Sequence, residues 1–219
     1  MTRRRPARDD GLSLVEVLVA MGLFGVLATL LLGLALSTSQ VTEDTRSLAN
    51  VTEQSRLAME RLTRELRQAE VILSVQLPAV ATDPTAVTFW TDFNGNHTQD
   101  LNAADPEVMT YRWDPGTREL TLTANDSEGN AVSRPVLAVN VTGFVLGLRS
   151  SKWQYDIAPA DGVTTWQELD LAGAPVGNKD TKANNPELEH IDLMTVALTV
   201  STDGHSQTFN TQVDLRNQD

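Results

Sequence analysis

The residues best placed by type and spacing to do chemistry lie in "DFNGNHTQD", Asp92 to Asp100. Side-chain oxygens recur at Asp92, Asn94, Asn96 and Asp100, and Thr98 offers a backbone carbonyl between them. Calcium is bound in this way, because the ion gathers about six to eight oxygens from a curled backbone. Two residues depart from a calcium loop. His97 stands where glycine would make the sharp turn, and Ala103 stands where a closing glutamate would sit, with Asp105 a substitute further along. The other reading is an Asx-rich hairpin turn built on "NGN". A different kind of chemistry is signalled by Glu16, one carboxylate at the mouth of the apolar stretch "LSLVEVLVAMGLFGVLATLLLGLAL".

Other constellations are weak. His97, His190 and His205 are scattered without metalloprotease spacing, and the chain has no cysteine, no GxSxG and no glycine-rich phosphate loop. "ELEH" (Glu187–His190) reads as a polar lead-in to the strand that begins at Ile191. Trp90, Trp113, Trp153 and Trp166 read as core anchors, with a stacking platform for sugars or bases as the competing use. No catalytic residue is assigned, so the chain is read as a non-enzyme.

The elements that carry these groups follow from hydropathy. Val17 to Leu36 is an uncharged run of 20 residues, about 30 Å long as a helix and so the thickness of a bilayer core. Arg3, Arg4, Arg5 and Arg8 precede it, and the next basic residue is Arg46. The positive-inside bias therefore keeps the N-terminus cytoplasmic and exports the rest. The run is long for a secretory signal and lacks a small-residue cleavage site, which makes it an anchor in membrane lipid. Glu16 costs about 1–3 kcal/mol at such a place unless it snorkels to the headgroups or meets a cation. Gly25, Thr29 and Gly33 recur every four residues, a spacing that lets helices approach closely in a membrane. Net charge is −12, and −14 without Met1–Gly11, which argues against a broad grip on DNA.

"GLSLVEVLVAM" resembles the amino-terminal signal of type IV pilins and pseudopilins: a basic leader ending in glycine, a hydrophobic first mature residue and glutamate at the fifth mature position. Gly11, Leu12 and Glu16 match. The resemblance implies cleavage after Gly11 by prepilin peptidase and N-methylation of Leu12. It also implies that Glu16 pairs with the terminal amine of an adjacent subunit during assembly.

From Leu48 the pattern becomes amphipathic, with Leu48, Val51, Ser55, Ala58, Leu62, Glu65, Ala69 and Ile72 on one stripe. Glu60 and Arg64 are spaced for an i,i+4 pair. With no proline between Arg8 and Pro78, one helix from about Leu12 to Ser74 is expected. Beyond Pro78 the period becomes two. Strands are expected at Ala86–Trp90, Val108–Trp113, Arg118–Ala124 and Val136–Arg149, followed by a final hairpin from "IDLMTVALTVS" and "SQTFNTQVDL". "DPG" at Asp114–Gly116 and "DG" at Asp203–Gly204 mark turns. Asp156–Glu187 reads as a long loop.

The expected fold class is α+β, a long N-terminal helix packed on an antiparallel β head. Its divisions are a leader (1–11), a transmembrane half-helix (12–36), an amphipathic half (37–76) and a head (77–219). "SRLAMERLTRELRQAEVI" and the later "VTGFVLGLRSS" with its terminal hairpin are similar to J-type minor pseudopilins of type II secretion and W-type minor pilins. That likeness implies a minor subunit of a type IV pilus or secretion filament, held in the inner membrane with its head outside. Its partners would be prepilin peptidase, other pilin or pseudopilin subunits and the inner-membrane assembly platform. The alternative is a filament-borne subunit that binds DNA for uptake or a surface for adhesion.

Overall fold

The computed structural model describes residues 13–98, 107–126, 128–137, 140–151, 155–157, 160–202 and 204–215. The chain divides into two compact units, 1–47 and 48–219. Helix α1 (Leu14–Gln68) contributes to both. Within the first unit it is apolar and unburied: Leu18, Phe24, Leu31 and Leu34 are all more than half exposed.

In the second unit α1 buries Ser55, Ala58, Met59, Leu62 and Leu66, which confirms the amphipathic stripe. Ser55 tolerates complete burial because its hydroxyl donates to the Val51 carbonyl at 2.7 Å. Glu60 pairs with Arg56 at 3.0 Å, not with Arg64 as the spacing predicts, and Arg61 pairs with Glu65 at 2.8 Å. The helix stops at Gln68, which corrects the expected extension to Ser74. Val71–Gln76 form strand β1, because the β-branched residues Val71, Ile72 and Val75 pair with the strand Thr85–Trp90. Ala69 and Ile72 keep the helical spacing in the sequence but are buried outside the helix.

The strands that follow are β2 (Thr85–Trp90), β3 (Val108–Asp114), β4 (Glu119–Asn125), β5 (Ala131–Leu137), β6 (Val141–Ser150), β7 (Thr164–Thr165), β8 (Leu193–Thr202) and β9 (His205–Asp214). Among the described residues they form two antiparallel sheets, ordered β1-β2-β3-β4-β5 and β7-β6-β8-β9. The stretch expected as one strand, Val136–Arg149, is therefore split. Asn140 at φ 71 breaks it, and β5 and β6 enter different sheets. Asp156–Glu187 is not wholly loop, since it holds β7 and helix α2 (Trp166–Ala172). The Glu168 carboxylate accepts the Thr165 N–H at 2.8 Å and so starts α2.

One core joins α1 to both sheets, with Leu62, Leu66, Phe89, Tyr111, Phe144, Leu148, Met194 and Leu198 fully buried. Trp113 of the first sheet donates its indole N–H to the Val141 carbonyl at 3.2 Å, and the Val141 N–H donates to the Arg118 carbonyl at 3.2 Å. The first link crosses between the sheets, and the second ties β6 to the β3–β4 turn.

Candidate functional site

The amino-terminal site begins at Ser13. Its hydroxyl accepts the Glu16 N–H at 3.3 Å, and its carbonyl accepts the Val17 N–H at 3.2 Å. Ser13 thus caps α1 and places Glu16 in the first turn, where the positive end of the helix favours a carboxylate. Gly11 and Leu12, the expected processing pair, lie outside the described residues. α1 contains a window of mean hydropathy 2.5 and is long and apolar enough to cross a membrane. A Cβ built on Gly25 or Gly33 would meet nothing within 4 Å. Thr29 turns its hydroxyl back onto the Gly25 carbonyl at 2.8 Å. The small-residue face is thus open along its length in the isolated chain.

The second candidate is the loop after β2. Asp92 holds it together: Oδ1 accepts the N–H groups of Gly95 (2.6 Å) and Asn96 (3.1 Å), and Oδ2 accepts that of His97 (2.9 Å). Asn94 Oδ1 accepts the Asn96 N–H, and Asn96 Oδ1 accepts the Thr98 N–H. The side-chain oxygens expected to ligate calcium therefore fold the loop's own backbone into successive Asx turns. Asp100 lies outside the described residues. His97 makes the turn reserved for glycine by adopting φ 55. Burial pushes the Asp92 carboxyl up, but the three N–H donors outweigh it and hold the group below the usual carboxylate range.

Two residues here were not legible from spacing. Glu107, completely buried, accepts the Trp90 indole N–H at 3.0 Å and the Asn94 N–H at 3.4 Å, tying the loop to the core. Glu70 lies just before β1, and its N–H donates to the Trp90 carbonyl at 2.9 Å. One ligand atom each from Glu70, Asp92 and His97 lie within 4.8 Å of one another.

The remaining candidates separate. Trp90 and Trp113 are buried and hydrogen-bonded, and Trp166 packs against the core, so these three act as anchors. Trp153 lies outside the described residues. "ELEH" forms a 3₁₀ turn, with Glu187 and Leu188 buried. A groove of about 830 Å³ runs between α1 and β9, lined by Arg56, Glu60, Arg64, Arg67, Phe209 and Asp214 among others.

Residues 6–32 match the family model described as the prokaryotic N-terminal methylation motif. No curated protein and no solved structure matches the chain. A capped apolar helix leading into antiparallel sheets, with that motif at its start, defines a pilin-like α+β protein. More particularly, the matched motif is a prepilin-type N-terminal methylation signal.

Proposed function

We propose that the chain is a minor pilin or pseudopilin, cleaved after Gly11 and methylated on Leu12. It waits in the inner membrane with its N-terminus cytoplasmic and its head on the far side, then enters a type IV pilus or type II secretion filament. The observation that carries this reading is Glu16 in the first turn of an unburied apolar helix, inside the matched motif. In lipid, an ionised carboxylate there needs a cation, and a liberated α-amine on a neighbouring subunit supplies one. The role is structural: helices pack side by side through the Gly25–Thr29–Gly33 face, and the head contacts other subunits. The likeness to J-type pseudopilins and W-type pilins supports a minor position. Intact-mass measurement tests the reading. The mature chain is expected to begin at Leu12 and carry one extra methyl, and a chain that keeps Met1 overturns it.

One observation favours the second reading, a filament-borne binding subunit. Three arginines against two acids, Glu60 and Asp214, line the groove between α1 and β9, a small basic excess on an otherwise acidic chain that suits an anionic ligand such as single-stranded DNA. Replacing Arg64 and Arg67 with Ala should abolish single-stranded DNA binding by the full chain in detergent. Absence of such binding in the unaltered chain removes this reading.

A further inference from the structure

We propose that Glu70, Asp92 and His97 form a binding site for a zinc-class divalent cation. The three donors come from two segments distant in sequence, brought together where the antiparallel register sets Val71 against Trp90. One ligand atom from each lies within 4.8 Å of the others.

The donor set selects the metal. An imidazole nitrogen with two carboxylates suits zinc and its neighbours, whereas calcium takes oxygen alone and wants about six to eight donors. Three protein ligands with one position left to water is a common zinc arrangement. The spacing agrees. His97 Nδ1 lies 3.4 Å from Asp92 Oδ2, longer than the ~2.7–2.9 Å of a charge-assisted hydrogen bond. It equals the edge of a tetrahedron whose centre is about 2.0–2.1 Å from each corner, the zinc–ligand distance.

Accessibility and rigidity are divided usefully among the three. The Asp92 side chain is 2 % exposed and fixed by three backbone N–H groups; Oδ1 accepts two of them, while Oδ2 accepts one and keeps a lone pair for a cation. His97 is 82 % exposed, and its φ of 55 sets the imidazole beside Asp92. Glu70 is half-buried at the foot of β1. Closing the site requires only side-chain rotation of the two freer ligands about a fixed one. The histidine that breaks the pattern of a calcium loop is the residue that completes this site.

The test uses the tag-free full chain in detergent, stripped with chelator and titrated calorimetrically with zinc chloride, with Co²⁺ as a spectroscopic stand-in. One equivalent of zinc should bind, and Co²⁺ should give the intense visible absorption of a tetrahedral site. His97→Ala and Glu70→Gln should each weaken binding at least tenfold. Neither side chain is part of the core, so both variants should keep the unaltered far-ultraviolet spectrum. Asp92 is left in place because it holds the loop. Absence of stoichiometric zinc binding overturns the proposal, as does an affinity unchanged in both variants. Calcium binding that is tighter than zinc and indifferent to His97→Ala also overturns it, and returns the loop to an oxygen-only site.

Discussion

Glu65 on α1 accepts the Tyr111 hydroxyl at 2.5 Å while pairing with Arg61 at 2.8 Å. Tyr111 is wholly buried and stacks on Phe89, with ring centroids 6.2 Å apart. The contact joins the second half of α1 to the middle of the first sheet through one hydrogen-bonded chain. Tyr111→Phe removes the hydroxyl but not the ring, and leaves Glu65 with Arg61 alone. The expected loss is about 1–3 kcal/mol, read as a lower urea midpoint with an unchanged m-value.

Stability should fall at both ends of the pH scale, for separate reasons. Burial, then the hydrogen bond to Glu65, raise the Tyr111 pKa well above its ordinary value. Its contribution is therefore complete below about pH 10, the unfolded value, and is lost above it, as the unfolded chain ionises while the folded one resists. Asp92, Asp126 and Asp180 are shifted the other way. Their contribution is present above about pH 4 and disappears as pH falls through their lower folded values. Thermal melts followed by tryptophan emission should show a plateau between these limits, and Tyr111→Phe should flatten only the alkaline side.

Glu16→Ala tests anchoring and assembly separately. Ser13 still caps the helix, and the apolar run is untouched. The variant should be inserted and cleaved like the unaltered chain but be lost from sheared filament fractions. Undiminished filament content would remove the docking role from Glu16.

Gly177 is a packing requirement. A Cβ there would lie 2.0 Å from the Leu169 carbonyl oxygen and 2.6 Å from Asp170 Cα, both backbone atoms of α2. Gly177→Ala must displace α2 and should cost about 1–3 kcal/mol. Gly204→Ala meets no neighbour but sits at φ 80, so its smaller loss comes from backbone strain alone. Parallel urea unfolding of the two variants ranks them.

Much of this architecture could be read from the residues. The apolar run, the amphipathic stripe and the absence of proline between Arg8 and Pro78 predict α1, and alternation in "VMTYRW" and "RELTLTA" with "DPG" between them predicts the β3–β4 hairpin. Asp114 indeed closes that turn, accepting the Gly116 N–H at 2.8 Å. The split at Asn140 was hidden because its flanks are equally apolar, although asparagine is a residue that tolerates a positive φ. α2 carries a signal in the sequence: Thr165 followed three residues later by Glu168 is a capping box. Glu70 had none, since only strand pairing brings it to Asp92. Glu107 likewise reads as a loop acid until its two donors are seen.

Val141 has its carbonyl engaged by Trp113 of the other sheet and its amide by Arg118, in the turn that leads into β4. A pull that separates β6 from the β3–β4 hairpin therefore has to break both of these bonds.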